Sequence, residues 1–173
     1  MSDKYIGLDA NGNLAETEAV NASAGAGDAG KIPALDSTGR LDDTMMPVGI
    51  GADTKSLATS EDLAASDVVN VYDNTGTSTA RKADASAANA GKLVVGFVLE
   101  GSTSPGPATV YFEGTITGLS GLTPGDTYFV SGSTPGAVTN TPPTTTGYIT
   151  QKVGVAISAT ELSFEPGEPV IRA

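Results

Sequence analysis

Hydrophobic residues are unevenly distributed along this 173-residue chain, and their spacing changes near residue 67. Up to that point, isolated Leu, Ile, Val and Met residues are separated by Gly, Ala, Asn and Asp, and Tyr5 is the only aromatic residue. Every other Tyr and Phe, from Tyr72 onward, lies in the remainder. We therefore predict an extended, mostly irregular N-terminal arm over residues 1–66, which has too little apolar surface to order by itself, and a folded body over residues 67–173.

The body shows the alternation of apolar and polar residues that is typical of half-buried β-strands. Val110, Phe112 and Ile116 share one face of a segment whose other face is largely polar. A second set predicts a hairpin with one apolar face: Val153, Val155 and Ile157, followed beyond a short turn by Leu162 and Phe164. The continuous apolar segment 93–99 is expected to be a central strand covered on both faces; the alternative is a buried helix, which its β-branched residues disfavour.

Four Pro-Gly pairs separate these segments, and each is expected to form a type II turn. They begin at Pro105, Pro124, Pro135 and Pro166. Seven strands are expected, over residues 68–73, 78–83, 93–100, 108–118, 127–131, 148–157 and 161–165. Short strands and frequent turns, in a chain with 22 Gly and 10 Pro, predict an all-β fold whose C-terminal domain is a small β-barrel or sandwich.

One seven-residue element occurs twice in the arm, at Leu8–Leu14 and at Leu35–Leu41. Each copy pairs two leucines around a turn that begins with Asp and closes with Gly. Because Asp caps such a turn through its side chain and Gly supplies the positive φ, each copy is predicted to form a tight hairpin with both leucines on one side. The alternative is two unrelated polar loops. Residues 21–30, between the copies, are interpreted as a flexible spacer.

A short apolar segment follows the second copy. Met45 and Met46 stand behind the acidic pair Asp42-Asp43, and Val48 follows after a proline that favours extended backbone before it. We interpret this segment as an adaptable docking site; the alternative is that the methionines fold back on the chain's own core.

The apolar residues of the arm are the candidates for contacts with another subunit. They are Leu8, Leu14, Ile32, Leu35, Leu41, Met45, Met46 and Val48. Between this set and the body, Thr59 and Asp62 form a capping pattern that predicts a helix of one or two turns linking arm to body.

Catalytic chemistry is poorly represented in this composition. The chain contains no Cys, His or Trp, which removes thiol nucleophiles, imidazole acid–base groups and the usual soft-metal ligands. The neighbouring carboxylates Glu61-Asp62 are expected to be solvated, as are Asp42-Asp43, because nothing nearby would desolvate them. A faint calcium-loop pattern that starts at Asp9 fails, since Val20 stands where an EF-hand needs Glu. We expect no enzymatic activity, no metal and no cofactor.

The charge balance narrows the choice of partner. With 9 basic and 20 acidic residues the net charge is −11, and no basic run is present, so nucleic-acid binding is not expected. The longest stretch without charge, residues 127–151, is rich in Thr, Pro and Gly and does not fit a membrane span, and no signal peptide is visible in residues 1–21. We expect no membrane partner, and a partner surface that is neutral or basic.

Two resemblances point to a class of protein. Residues 30–47, GKIPALDSTGRLDDTMMP, resemble a segment found in many tailed-phage virion proteins, in tail fibres as well as in head proteins. Roughly the last two thirds of the chain is similar to phage head decoration, or cement, proteins. That similarity is carried by turn and strand motifs at 61–63, 68–72, 81–85, 96–99, 118–125, 151–156 and 164–166.

The resemblance implies a small β-barrel-like domain that assembles as a homotrimer on the outer surface of the capsid and contacts the major capsid protein. The expected function is to bridge capsid subunits and stabilise the shell. One alternative is a short tail-fibre or spike subunit, because the leucine-turn repeat also suits a fibrous trimeric shaft. The other is a carbohydrate-binding module or small enzyme, against which the absence of Trp and His counts.

Overall fold

The structure is a computed structural model that describes residues 3–37, 39–46, 53–86 and 92–173. The chain divides into an N-terminal unit, Met1–Gly51, and a C-terminal unit, Ala52–Ala173. Regular structure in the described ranges consists of β-strands and two short 3-10 helices, which confirms the all-β prediction. Within these ranges no helix has the length and apolar character needed to cross a membrane.

The N-terminal unit contains one antiparallel hairpin, formed by β1 (Lys4–Leu8) and β2 (Leu14–Glu18). Its 3-10 helices span Ala26–Asp28 and Asp43–Met45. Ala34 is the only buried hydrophobic residue among the described part of this unit. The unit is therefore mostly irregular, as predicted, and its described residues form no hydrophobic core.

Five strands of the C-terminal unit close into a barrel with the order β3-β5-β4-β6-β7. They are β3 (Thr54–Thr59), β4 (Val68–Asn74), β5 (Thr77–Lys82), β6 (Gly96–Val98) and β7 (Pro107–Tyr111). All neighbouring pairs are antiparallel except β3 and β5, which are parallel. This closed barrel confirms the expected architecture of the body.

A second sheet of five strands has the order β10-β9-β12-β13-β8. Its strands are β8 (Thr115–Ile116), β9 (Thr127–Val130), β10 (Val138–Thr139), β12 (Lys152–Ala156) and β13 (Leu162–Phe164). Two further strands, β11 (Ile149–Thr150) and β14 (Val170–Ile171), form a separate antiparallel pair. Each of the seven predicted strand regions overlaps at least one observed strand, and the region 108–118, predicted as one strand, is divided between β7 of the barrel and β8 of the second sheet.

Two apolar clusters hold the C-terminal unit together. One lies among the barrel strands and includes Leu57, Val98 and Val110. The other joins barrel residues to the second sheet, and Phe97 lies in it with its ring centroid 5.4 Å from that of Tyr111 and 5.2 Å from that of Phe164. Burying a side chain of this size stabilises the fold by about 1.5 to 3 kcal/mol.

The predicted linker helix does not form in residues 59–66, which lie within the described range 53–86. Thr59 ends strand β3 and donates its hydroxyl hydrogen bond to the Gly106 carbonyl at 3.0 Å, while the Asp62 carboxylate accepts one from the Ser104 amide at 2.8 Å. The two side chains expected to cap a helix thus fix a remote turn instead. Because β3 belongs to the barrel, the C-terminal unit begins at Ala52 rather than at residue 67.

The face assigned to the β12–β13 hairpin is wrong in part. A register shift lies between Lys152 and Gly154, and the cross-strand partners of Leu162 and Phe164 are Ala156 and Gly154. Val155 instead pairs with Ser163. A one-residue bulge moves every following side chain to the opposite face, so Val155 and Ile157 lie outside the buried set that holds Leu162 and Phe164.

The Pro-Gly prediction holds at two of four sites. Gly125 and Gly136 have φ values of +89° and +83°, and each turn closes with a bond, Asp126 N–H to the Thr123 carbonyl and Ala137 N–H to the Thr134 carbonyl. These are type II turns. Gly106 and Gly167 lack a positive φ: the amide of Gly106 closes a turn on Thr103, and the amide of Gly167 donates to the Lys152 carbonyl.

Candidate functional site

The hairpin of the N-terminal unit exposes one of its two faces. Leu8 is the register partner of Leu14, so their side chains lie on the same face, and Ile6 shares that face two residues along β1. These side chains are 71%, 79% and 66% exposed, respectively. The opposite face, which includes Tyr5 and Thr17, is half-buried. The large aliphatic side chains of this hairpin therefore point to solvent, on the same face as Lys4 and Glu16.

The first turn is held together by Asp9. Its carboxylate accepts hydrogen bonds from the amides of Asn11 and Asn13, both at 2.8 Å. Its own amide donates to the Asn13 carbonyl at 2.9 Å, and the amide of Gly12, at φ +81°, donates to the Asp9 carbonyl at 3.0 Å. The backbone amides of Asn13 and Asn11 hold the pKa of Asp9 below its ordinary value. The turn is thus closed by local bonds alone.

The second turn repeats these bonds around Asp36. The Asp36 carboxylate accepts from the Arg40 amide at 3.0 Å, and the Asp36 amide donates to the Arg40 carbonyl at 2.8 Å. Gly39, at φ +78°, donates its amide to the Asp36 carbonyl at 3.0 Å. The flanking Leu35 and Leu41 are 55% and 45% exposed. Equivalent bonds at equivalent positions favour a true repeat over two unrelated loops.

The second copy is a turn without a strand ladder. No residue assigned to a strand flanks it within the described range, whereas the first copy joins β1 to β2. The prediction of a tight turn is therefore confirmed for both copies, and that of a hairpin with paired strands only for the first.

Backbone bonds connect the second copy to the end of the hairpin. Val20 donates its amide to the Ile32 carbonyl at 3.1 Å and accepts from the Ala34 amide at 2.8 Å, which makes a parallel bridge between Val20 and Pro33. The Asn21 side-chain amide donates to the Leu35 carbonyl at 3.0 Å. Both leucine turns are therefore parts of one hydrogen-bonded unit.

The spacer is more ordered than its composition predicted. The Asp28 carboxylate accepts from the Ala24 amide at 2.6 Å and forms an ion pair with Lys31 at 2.8 Å. The hydrogen bond from Lys31 holds the pKa of Asp28 below its ordinary value, and Asp28 raises the pKa of Lys31. The 3-10 helix Ala26–Asp28 and these bonds give the spacer a defined path.

The methionine segment is anchored through Thr44. Its amide and hydroxyl both donate to the Asp42 carboxylate, and its hydroxyl accepts from the Ser23 amide at 2.8 Å. The bonds from Thr44 hold the pKa of Asp42 below its ordinary value. Met45 is half-buried and Met46 is exposed. Val48, the last candidate of this segment, lies outside the described residues.

The exposed apolar side chains of the N-terminal unit define the candidate interaction surface. It comprises Ile6, Leu8, Leu14, Ile32, Leu35, Leu41 and Met46. Of these, the sequence analysis missed only Ile6, whose signal was the alternation with Leu8 along β1. Exposed apolar side chains are the groups that gain most free energy when another molecule covers them. Such a surface binds by burial and carries no reacting group.

A groove of the C-terminal unit has a volume of about 470 Å³ and is lined by Ser66, Asp67, Leu119, Tyr128 and Asn140, among others. Its polar groups have structural partners: Asp67 accepts from the Ala64 amide at 2.8 Å, and the Tyr128 hydroxyl accepts from the Thr123 amide at 3.0 Å. Across the described ranges no three His, Cys, Asp or Glu residues converge as metal ligands. The Asp67 carboxylate and the Tyr128 hydroxyl of this groove thus help to hold the surrounding loops.

Comparison of the chain with models of known protein families found no match, and comparison with curated proteins found none either.

Proposed function

We propose that this chain is a structural, non-enzymatic virion protein that decorates a phage capsid and stabilises it by bridging neighbouring major capsid proteins. The proposal is supported mainly by the exposed leucines of the N-terminal unit. The described residues of this unit form no hydrophobic core, yet Leu8, Leu14, Leu35 and Leu41 are exposed beside two hydrogen-bonded turns. A unit of this kind lowers its free energy by covering these leucines with another protein.

The energetic scale is adequate for docking. Full burial of one leucine side chain contributes about 1.5 to 3 kcal/mol. Burial of four leucines therefore offsets a large part of the free energy lost with rotational and translational freedom on association, which is about 4 to 15 kcal/mol. Because the turns are already closed by their own hydrogen bonds, little further ordering of these segments is required on binding. The unit is in this sense preorganised.

Charge supports a neutral or basic partner surface. The chain has 20 acidic and 9 basic residues, a net charge of −11, and unassembled copies therefore repel one another. Direct contact with packaged nucleic acid or with an anionic membrane does not fit this charge. A position on the outer surface of the capsid is compatible with this negative charge.

The barrel unit is proposed to assemble the chain as a homotrimer. A trimer carries three N-terminal units. Once one unit has bound the capsid, the other two bind at high effective concentration, so three weak contacts give a strong overall attachment of the trimer. The resulting bridges between capsid proteins would resist the outward pressure of packaged DNA.

A short tail-fibre or spike subunit is the second candidate. The equivalent geometry of the two leucine turns favours it specifically, because a repeated turn also suits a fibrous trimeric shaft. In that case the exposed leucines would contact other chains of the fibre rather than a capsid protein.

Co-sedimentation distinguishes the two candidates. The full chain is expected to co-sediment with empty capsids, whereas a chain lacking residues 1–51 is expected to keep a folded barrel unit, with its own two apolar clusters, and to remain in the supernatant. Saturation of the shells by the shortened chain would contradict the proposed role of the N-terminal unit. Binding of the full chain to whole bacterial cells, without capsid binding, would favour the fibre.

A further inference from the structure

An asparagine followed directly by a glycine occurs once in the chain, at Asn11-Gly12 in the turn of the first hairpin. The chain contains seven Asn, and each of the other six precedes a residue with a side chain. The order matters because a backbone amide can attack the side-chain carbonyl carbon of an asparagine that precedes it. Glycine has no Cβ to hinder this approach. The pair is therefore the position in this sequence where an asparagine side chain reacts most readily with the backbone.

The surroundings of the pair leave room for this reaction. Asn11 and Gly12 are both exposed. Gly12 has a φ of +81°, and a Cβ built on it would meet no atom within 4 Å. Solvent therefore reaches both groups that would react, the side-chain amide of Asn11 and the backbone nitrogen of Gly12.

The hydrogen bonds of the turn oppose the reaction. The Gly12 amide, which must lose its proton to attack, donates to the Asp9 carbonyl at 3.0 Å. The Asn11 amide donates to the Asp9 carboxylate at 2.8 Å, which fixes the backbone on the other side of the Asn11 side chain. Because ring closure requires the backbone between Asn11 and Gly12 to rotate, the turn must first open.

We infer that Asn11 is a modification site, at which the chain deamidates spontaneously while the first turn is open. Solvent takes the proton from the Gly12 nitrogen, which bonds to Cγ of Asn11. The side-chain nitrogen takes up a proton and leaves as ammonia, which gives a succinimide ring. Water then opens the ring: cleavage at Cγ gives aspartate, and cleavage at the backbone carbonyl gives isoaspartate, in which the chain continues through the former side chain. The inference does not depend on the proposed function.

Either product weakens the turn that places Leu8 beside Leu14. Each adds a carboxylate near that of Asp9, and neighbouring like charges repel. Isoaspartate also lengthens the backbone by one atom, so the bonds between Asp9 and Asn13 lose their geometry. The second leucine turn has Thr38 at the corresponding position, which carries no amide group. The two turns therefore differ in chemical lifetime.

Mass spectrometry of the full chain tests the site. The protein is incubated in mildly alkaline buffer and digested with trypsin, and the peptide of residues 5–31 contains Asn11, Asn13 and Asn21. Electron-transfer fragmentation of this peptide locates the conversion of amide to acid and separates aspartate from isoaspartate. Asn11 is expected to react about 10-fold faster than Asn13 or Asn21, which are the internal controls. Equal rates at the three sites, or no conversion at Asn11, would overturn the inference.

Two substitutions move the reactive pair within the chain. Asn11→Thr gives the first turn the residue of the second, and the fast conversion in the peptide of residues 5–31 should disappear. Thr38→Asn creates the same pair in front of Gly39, and the second turn should then react at a rate within about 3-fold of that of Asn11, since the Gly39 amide is bound to Asp36 as the Gly12 amide is bound to Asp9. Fast conversion that persists in Asn11→Thr, or a second turn that stays inert in Thr38→Asn, would contradict the assignment.

The role of turn opening is tested by Asp9→Ala. This substitution removes the acceptor of the Asn11 and Asn13 amides, so the conversion of Asn11 is expected to become about 5-fold faster. Asp9→Asn keeps an acceptor oxygen without the charge and should give a smaller increase. Hydrogen exchange at the Asn11 amide reports the opening of the turn in the same samples. If Asp9→Ala exchanges faster and yet deamidates no faster than the unaltered chain, opening does not limit the reaction and this part of the inference is wrong.

Discussion

A single aspartate closes each leucine turn, and its replacement should open it. In Asp9→Ala the amides of Asn11 and Asn13 lose their acceptor, so we expect faster hydrogen exchange at both amides and weaker capsid binding. Asp9→Asn keeps a side-chain oxygen acceptor and serves as the control, with an intermediate effect. Unchanged exchange in the alanine variant would show that the carboxylate does not hold the turn.

Acid should loosen the same turn. Because folding lowers the pKa of Asp9, its contribution to stability is fully present above the ordinary carboxyl pKa and is lost as the pH falls through the lowered pKa. Asp42, whose pKa is lowered by Thr44, follows the same sign. We expect the amide signals of Asn11 and Asn13 in NMR spectra to remain unchanged near neutral pH and to shift only in acid. A transition near neutral pH would contradict this assignment.

Phe97 is expected to affect stability rather than binding, because its side chain is buried. It is 1% exposed and lies between the rings of Tyr111 and Phe164. Phe97→Ala should destabilise the C-terminal unit by about 3 to 5 kcal/mol in urea unfolding. The exposed Ile157→Ala should change stability by less than about 0.5 kcal/mol. If the two variants lost similar amounts of unfolding free energy, the apolar cluster that contains Phe97 would not be the stabilising core.

The turns that are closed by short-range hydrogen bonds were the most predictable part of the candidate site. Asp9 and Gly12 fall within five positions of each other, and their turn follows from the sequence because every bond in it is short-range. The same is true of Asp36 and Gly39. Ile6 was missed because its alternation with Leu8 indicates a shared face only once β1 is known to be a strand.

At the scale of elements, prediction failed where distant strands decide the outcome. Strand β3 contains one core side chain, Leu57, and joins the barrel through strands β5 and β7, which lie far along the sequence. The capping pattern at Thr59 and Asp62 pointed instead to a helix, which tertiary hydrogen bonds override. The bulge in β12 could not be predicted from the local sequence either, because it arises in the pairing of β12 with β9.

Strand β14 is the element from which we predict trimer contacts. Val170 and Ile171 are adjacent in this strand, point to opposite faces and are both exposed, and β14 pairs only with β11 in the described fold. We expect the unaltered chain to have a trimer mass by light scattering and V170S/I171S to have a monomer mass. Ile157→Ser is the control. A trimer that survives the double substitution would place the contact elsewhere.

At the scale of the whole molecule, thermal stability should depend on the C-terminal unit. Both apolar clusters belong to that unit, whereas the described part of the N-terminal unit buries only Ala34. A chain lacking residues 1–51 should therefore unfold within about 3 °C of the full chain by calorimetry, given that 1 kcal/mol shifts the melting temperature of a domain this size by about 2 to 8 °C. A much larger decrease would reveal a stabilising role for residues 1–51.

Closure of the barrel affects how the unassembled protein behaves in solution. Strand β3 pairs with β7 on one side and with β5 on the other, so no barrel strand offers a free row of amides and carbonyls to a stray chain. Open sheet edges are the usual starting point of fibril growth. A concentrated stock of this protein should therefore resist amyloid-type deposition through its barrel, and contacts between barrel units should use side chains rather than added strands.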